Sequence, residues 1–256
     1  MSSTHENLKI CGIIAYMESN NKEMFYLTGD THRDFTQVAS FCDTVQSTVG
    51  DTLIILGDAG INYFGRGEDR TLKRQLATLP ITLFCIHGNH EQRPETLGYR
   101  ETAWRGGTVY WEPEYPNLLF AKDGEVYDIG DKKCIAIGGA YSVDKMLRLA
   151  EGWGWWPDEQ PSAETRARVE ARLDAADWHV DVVFSHTCPL KYEPQEMYMS
   201  CINQAAVDKT TEKWLDAIED RLTYDRWYCG HYHTDKTIDK IRFLFNDFIE
   251  MQFRYR

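Results

Sequence analysis

Short apolar runs recur along the chain, and each has the length and composition of a buried β-strand. Most of their residues are β-branched or aromatic, as is typical of strands that are covered on both faces. The runs cover residues 24–28, 53–56, 81–86, 134–137, 180–184 and 227–229. We therefore predict six core strands at these positions.

Apolar residues at helical spacing occupy several of the intervals between the runs. Helices are predicted over 35–45, over 72–79 before Pro80, over 163–176 with Ser162 as N-cap, and over 206–222 with Trp214, Leu215 and Ile218 on one face. Strand and helix alternate through the first half, which predicts an α/β core. Residues 236–253 lack a helical stripe, and we predict strands there that close the sheet.

Length and charge narrow the class of protein. The chain has 256 residues, of which 43% are hydrophobic, and we expect one domain over 1–256. Its formal net charge of −12 disfavours an extended nucleic-acid surface, because binding to the phosphate backbone relies on clustered Lys and Arg. A nucleotide substrate stays open, since cations bound in a cleft would attract phosphate.

Two further patterns bear on location. The polar start and the lack of any run of roughly 18 apolar residues predict a protein with no membrane span and no cleaved signal. The seven cysteines are widely spaced and form no Cys-x-x-Cys pair, so we expect reduced thiols and a cytoplasmic location.

The candidate chemistry lies just after the predicted strands. Seven residues of types that bind metals follow these apolar runs: Asp30, His32, Asp58, Asn89, His186, His231 and His233. In an extended segment, residues two apart point to the same side, so Asp30 with His32, and His231 with His233, could each reach one ion. A glycine precedes a candidate ligand in four of these segments, where the chain must turn sharply or pass close to an ion.

The mixture of imidazole and carboxylate indicates the class of metal. Such donors suit manganese, iron, zinc or cobalt better than calcium, whose sites are built from oxygens, and we expect two divalent ions with manganese preferred. Asp58 lies in the middle of the series, where a carboxylate could bridge the two ions.

Five motifs in order carry a resemblance to a known family. They are Gly29-Asp30-Thr31-His32, Gly57-Asp58, Gly88-Asn89-His90-Glu91, Ser185-His186-Thr187 and Gly230-His231-Tyr232-His233. With these motifs the chain resembles the calcineurin-like metallophosphoesterase superfamily. The resemblance implies a four-layer α/β/β/α sandwich of two mixed sheets flanked by helices.

The resemblance also implies roles for the motif residues. Asp30, His32 and His233 would bind one metal, Asn89, His186 and His231 would bind the other, and Asp58 would bridge them. A metal-bound hydroxide would attack phosphorus in line. His90 would be the catalytic histidine that contacts the scissile phosphate and assists the leaving group.

From these implications we predict an enzyme that hydrolyses phosphodiesters or phosphomonoesters. One alternative is a binding scaffold that kept the fold without catalysis, although every ligand position here holds a competent residue. Another is a Ser/Thr protein phosphatase. Such phosphatases continue the second motif with Asp-Arg-Gly, whereas this chain continues Gly57-Asp58 with Ala59, Gly60, Ile61 and Asn62. We expect a phosphate-ester substrate with a flat organic group, with a nucleotide among the options.

Several other residues allow more than one interpretation. Arg33 could contact phosphate or pair with Asp34. His87 and Cys188 lie near candidate ligands and could contact a metal, but we expect both to be buried core residues, with His87 hydrogen-bonded. His5 and His179 are expected on the surface.

The segment 152–157 contains Trp153, Trp155 and Trp156. It is either a loop pinned to the core or a lid whose rings stack on the substrate. Residues 197–199, Met-Tyr-Met, could line the same cleft or belong to the core.

Overall fold

Two β-sheets form the centre of the computed structural model, which describes residues 23–65 and 67–252. Predictions for His5, Cys11 and residue 253 lie outside the described residues. In the first sheet the strand order is β13-β1-β2-β3-β6-β5-β4. Its strands are β1 Phe25–Thr28, β2 Thr52–Ile55, β3 Thr82–Cys85, β4 Arg100–Trp104, β5 Gly107–Trp111, β6 Leu118–Ala121 and β13 Ile249–Glu250.

The second sheet has the order β11-β12-β10-β9-β8-β7. Its strands are β7 Val126–Ile129, β8 Lys132–Ile137, β9 Val182–Ser185, β10 Arg226–Cys229, β11 Lys236–Ile238 and β12 Ile241–Phe243. Both sheets are mixed, because antiparallel strands flank a parallel centre formed by β1, β2, β3 and β6 in one sheet and β8, β9, β10 and β12 in the other. All six predicted core strands are confirmed.

A helix lies at each of the four predicted places, but the second runs from Gly67 to Leu76 and so begins and ends earlier than the predicted 72–79. The helices are α1 Thr36–Val45, α2 Gly67–Leu76, α3 Lys145–Glu151, α4 Ala163–Ala175 and α5 Thr210–Glu219. The predicted cap is present, since the Ser162 hydroxyl accepts a hydrogen bond from the N–H of Thr165 at 3.1 Å. The last predicted helix begins at Thr210 and not at residue 206, because Gln204–Ala206 form a separate 3₁₀ turn.

Three hydrophobic layers explain the stacking of these elements. Alternate residues of the strands fill a core between the sheets, where Leu27, Ile54 and Phe184 are fully buried. A second cluster packs α1 and α2 on the outer face of the first sheet, and a third packs α4 and α5 on the outer face of the second. A fully buried side chain of this size contributes about 1.5–3 kcal/mol. The predicted α/β/β/α sandwich is confirmed.

Some elements were not predicted. Strands β4 to β7 form antiparallel pairs, and β4 has the sequence Arg-Glu-Thr-Ala-Trp at a sheet edge, where polar residues face water and leave no apolar run. Helix α3 contains no buried residue, so no apolar stripe marks it. The predicted closing strands are present, but they border both sheets: β11 and β12 join the second sheet, whereas β13 pairs with β1.

Two global properties follow from the described residues. No helix there is long and apolar enough to cross a bilayer. The described cysteines all carry free thiols, and those at 42, 85, 134, 188 and 229 are buried.

The register of the parallel strands places the candidate site. Thr28 pairs with Ile55, and Ile55 pairs with Cys85, so these three strands end level with one another. In the second sheet, Phe184 of β9 is level with Tyr228 of β10. Each segment with a candidate ligand begins within a few residues of such a strand end, and the loops from both sheets therefore meet at one edge of the sandwich.

Candidate metal centre

The side chains predicted to bind the first metal converge at the ends of β1 and β10. The Nε2 atoms of His32 and His233 lie 2.9 Å apart, and Nε2 of His233 lies 3.2 Å from Oδ2 of Asp30. That carboxylate oxygen is buried and accepts no well-formed hydrogen bond from the described residues. Two imidazole nitrogens and a buried carboxylate oxygen that face one another form a donor set for a divalent cation.

A second group lies beside the first and shares Asp30 with it. Oδ1 of Asp58 lies 3.6 Å from Nε2 of His186, and Oδ1 of Asp30 lies 4.0 Å from Nδ1 of the same ring. Oδ2 of Asp58 also lies 3.9 Å from Nδ1 of His32. Asp58 therefore faces both groups, and Asp30 does so as well.

Asn89 and His231 complete the set on the His186 side. Oδ1 of Asn89 lies 2.8 Å from Nε2 of His186, and the ring centroids of His186 and His231 are 5.0 Å apart. The backbone N–H of His231 donates to Oδ1 of Asp30 at 3.0 Å. The structure thus brings together all seven side chains predicted from the sequence.

Neighbouring polar groups fix the orientation of two of these side chains. Nδ1 of His186 lies 2.9 Å from the carbonyl oxygen of Leu56, so a proton on Nδ1 leaves the Nε2 lone pair facing the centre. The Nδ2 amide of Asn89 donates to the hydroxyl of Ser142 at 3.0 Å, which turns Oδ1 towards His186. Ser142 was not identified from the sequence, where a lone Ser after a strand carries no distinctive signal.

The backbone at the site is strained. Four candidate ligands have positive φ: His32 at 45°, Asp58 at 47°, His231 at 66° and His233 at 49°. Residues other than glycine rarely adopt this conformation, and such residues concentrate at functional sites. Gly57, with φ of 94°, lies against His186, and a Cβ there would overlap with the imidazole. This glycine makes room for a ligand from another loop as well as for a turn.

The charge state of the site suits cation binding. Burial alone would raise the pKa of Asp58, but the neighbouring histidines, led by His186 and His90, lower it below its ordinary value. Burial and the nearby His186 lower the pKa of His231 well below its ordinary value. At neutral pH, Asp58 is therefore charged and His231 is neutral, the forms in which both residue types bind metals.

The buried Glu91 carboxyl stabilises the turn between Gly88 and Glu91 through hydrogen bonds to the backbone. Oε1 and Oε2 of Glu91 accept hydrogen bonds from the N–H groups of Gly88 and Gly60 at 3.1 and 3.0 Å. Burial, reinforced by Asp58, raises the pKa of Glu91 to about 8. Glu91 therefore joins the loops after β2 and β3 without adding a further negative charge beside Asp58 and Asp30 at neutral pH.

His90 lies at the rim of the centre beside an arginine that was not predicted. Its N–H donates to Oδ1 of Asp58 at 2.8 Å, and its Nε2 lies 3.8 Å from Oδ2 of Asp58. Nη2 of Arg148 lies 3.3 Å from the same Nε2, and Nε of Arg148 is held by both carboxylate oxygens of Asp144 at 2.9 Å. No local sequence signal singled out Arg148, which lies on α3, in the segment that follows β8.

Two of the ambiguous residues differ from their predicted surroundings. Arg33 donates to Oδ1 of Asp69 at 2.7 Å and to the carbonyl of Gly60 at 2.6 Å, so its partner is Asp69 and not Asp34. His87 is buried as predicted, but neither ring nitrogen has a hydrogen-bond partner among the described residues, and that part of the prediction is wrong. His179 is exposed and Cys188 is buried, as predicted.

The tryptophan segment is tied to the protein. Nε1 of Trp155 donates to Glu159 at 2.8 Å, and the ring of Trp156 packs edge-on against Tyr63 at 5.3 Å between centroids. Trp153 is exposed, and its N–H donates to the carbonyl of Arg148. These contacts favour the pinned loop. In contrast, Met197, Tyr198 and Met199 line a cavity beside the metal ligands, as one interpretation of the sequence predicted.

Comparison with known proteins identifies the family. The family model of calcineurin-like phosphoesterases matches residues 24–235, which include all the candidate ligands. No curated protein matches the chain. The crystal structure of TT1561 of Thermus thermophilus is 12% identical and has a TM-score of 0.45, with 82% of this chain and 81% of that chain covered. Another solved structure is 11% identical, with a TM-score of 0.48 and coverage of 87% and 89%. On the evidence of the family model, the chain belongs to the calcineurin-like phosphoesterases.

Proposed function

We propose that the chain hydrolyses a phosphoric ester at a centre of two divalent ions. Asp30, His32 and His233 would hold one ion, Asn89, His186 and His231 would hold the other, and Asp58 faces both groups through His32 and His186. The observation that carries this proposal is a pair of adjoining donor groups that share Asp30: one contains His32 and His233, and the other contains Asp58 and His186. Asn89 and His231 lie against His186 and add two further donors.

The donor set accommodates the class of metal expected from the sequence. Imidazole and carboxylate donors together suit manganese, iron, zinc or cobalt, with manganese preferred. Ions of this kind supply an activated water and offset the negative charge of the phosphoryl group when they are bound. The protein's own contribution is to hold its donors in place, as the contacts of His186 with Leu56 and of Asn89 with Ser142 do.

His90 and Arg148 are placed to act on the ester. Burial lowers the pKa of His90, and Arg148 lowers it further against the opposing effect of Asp58. A neutral His90 can accept a hydrogen bond from the guanidinium while its ring stays beside the reacting centre. In this proposal His90 contacts the scissile phosphate and the leaving oxygen, and Arg148 is a positioning residue that orients the imidazole and adds positive charge.

The second motif and the pairing of Arg33 indicate the substrate class. After Asp58 the chain lacks the Asp-Arg-Gly continuation of protein phosphatases. Arg33 forms an ion pair with Asp69 and does not replace the missing arginine as a phosphate-binding group. A small phosphodiester or phosphomonoester with a flat organic group, for example a nucleotide, therefore fits better than a phosphoprotein. We still predict that the chain forms a single domain and that it acts in the cytoplasm.

Chromogenic esters test the proposal. Protein stripped with a chelator and then loaded with manganese should hydrolyse bis-p-nitrophenyl phosphate or p-nitrophenyl phosphate, and the stripped protein should not. His186→Ala should abolish this activity, whereas His179→Ala, which alters an exposed histidine, should retain it. Metal-loaded protein that hydrolyses neither ester nor a panel of nucleotides would overturn the proposal in favour of a non-catalytic scaffold.

A further inference from the structure

A cavity of about 410 Å³ opens beside the candidate metal centre. His90, His231 and His233 form one side of it. The remaining walls are mainly apolar, with side chains that include Tyr141, Leu147, Met197, Met199 and Val207. This volume lies within the range of small-molecule sites, which are typically lined by apolar and aromatic side chains with a few polar groups.

Large apolar side chains at the rim of this cavity are unusually exposed. Leu147, Met197 and Met199 have 51%, 39% and 56% of their surface accessible. Exposed apolar groups that gather at one place mark surfaces that bind a ligand or partner. Methionine suits such a surface because its flexible side chain adapts to flat and irregular shapes.

Apart from the candidate metal donors, the charged groups that line the cavity are already paired, with one exception among the described residues. Nζ of Lys209 lies 2.6 Å from Oε1 of Glu193, which also accepts a hydrogen bond from the hydroxyl of Tyr232. Asp144 is held by Arg148. Among the described residues that line the cavity, no Lys or Arg is unpaired. A second phosphate group on a substrate would therefore find no free cation there.

The exception is Glu212, a buried carboxyl group in the cavity wall. Only 2% of Glu212 is exposed, and its Oε1 accepts a hydrogen bond from the hydroxyl of Thr187 at 2.9 Å. Its Oε2 has no hydrogen-bond partner among the described residues. A buried polar atom without a partner destabilises the protein, and a ligand that donates a hydrogen bond to it would remove that penalty.

We propose that this cavity binds the organic group of the phosphate ester, and that Oε2 of Glu212 accepts a hydrogen bond from a hydroxyl, amide or amino group on it. The inference rests on the proposed function and adds the substrate class. The substrate is an ester with a single phosphate, joined to a nucleoside or a similar flat alcohol that carries a hydrogen-bond donor. Esters that bear a second phosphate on that group are poor substrates, because the cavity contains no free cation for them among the described residues that line it.

Two esters that differ only in this group provide the kinetic test. The manganese-loaded protein should hydrolyse thymidine 5′-(p-nitrophenyl phosphate) with a specificity constant about tenfold or more above that of ethyl p-nitrophenyl phosphate. At about pH 8, where the Glu212 carboxyl is ionised, Glu212→Gln should lower this ratio about tenfold, because only one amide oxygen can accept and the Thr187 hydroxyl already donates to that position. Glu196→Gln, the same change at an exposed glutamate, should keep the ratio.

Equilibrium binding provides a readout that needs no catalysis. Metal-free protein should bind thymidine, and both Glu212→Gln and Met199→Ala should raise its Kd about fivefold or more. Met199 is mostly exposed, so its substitution spares the fold if Glu212→Gln does not fold. Equal specificity constants for the two esters, or a thymidine Kd that neither variant changes, would overturn this inference. Failure to hydrolyse any ester despite thymidine binding would instead count against the proposed function.

Discussion

Nη2 of Arg148 lies 3.3 Å from Nε2 of His90, and the same guanidinium donates to the carbonyl of Gly154 at 3.1 Å. One arginine therefore connects the candidate catalytic histidine with the tryptophan segment. The contact also explains why a segment without metal ligands lies so close to the centre.

Replacing Arg148 should impair catalysis and leave metal binding intact. Arg148→Lys keeps the charge but loses the forked geometry that reaches Asp144, Gly154 and His90 together. We expect the specificity constant to fall roughly tenfold to a hundredfold, with unchanged manganese content. Arg148→Gln should also raise the pKa of His90, which would shift the limb of the pH–rate profile that His90 controls to higher pH. Arg70→Gln, at an exposed position on α2, should change neither quantity. An unshifted profile for Arg148→Gln would exclude the positioning role.

His90→Ala should slow hydrolysis most where the leaving group is poor. An alkoxide needs a proton or a hydrogen bond as it departs, whereas p-nitrophenolate needs little help. Metal content should stay the same, because His90 belongs to neither donor group. The check is a comparison of alkyl and p-nitrophenyl esters in the wild type and the variant. Equal losses for both esters would show that His90 does not assist the leaving group.

Gly57→Ala should disrupt the centre through His186. The new Cβ would overlap with the imidazole, so the ring must move away from Asp58. Gly98→Ala is the matched control, because Gly98 has a comparable φ of 71° and open space around it. The control should lower the free energy of unfolding by about 1–2 kcal/mol and keep metal affinity. Gly57→Ala should lower the free energy of unfolding further and should also weaken metal binding. Similar metal affinity in the two variants would contradict this explanation of the glycine.

The stability of metal-free protein should depend on pH through Glu212. Burial raises the pKa of this carboxyl from 4.5 to about 7. The folded state therefore keeps a proton that the unfolded chain has released, and this contribution to stability is lost as the pH rises from about 4.5 to about 7. Glutamine does not titrate, so Glu212→Gln should gain stability relative to the wild type between about pH 5 and pH 8, by at most roughly 3 kcal/mol. Urea denaturation at both pH values measures the difference, with the exposed Glu68→Gln as control. A difference that stays constant with pH would refute the assignment.

Candidate site residues could be predicted from the sequence where they belong to short motifs directly after a strand. Each candidate ligand follows an apolar strand, and parallel strands end at the same edge, so the gathering of Asp30, Asp58 and His186 could be predicted. The pairing of Arg33 with Asp69 could not, because it depends on how α2 packs beside the first loop. The same holds for Arg148 and Glu212, which contact His90 and Thr187 from elsewhere in the chain. Non-local contacts of this kind carry no periodic signal.

A manganese titration of metal-free protein, followed by the rate of p-nitrophenyl ester hydrolysis, tests the central claim most directly. The account predicts no activity without metal, a rate that rises to a plateau at two ions per chain, and a loss of that plateau in Asp58→Asn, where the carboxylate between the two sites loses its charge. A rate that is the same in metal-free and manganese-saturated protein would contradict the account, as would a wild-type titration curve that Asp58→Asn reproduces.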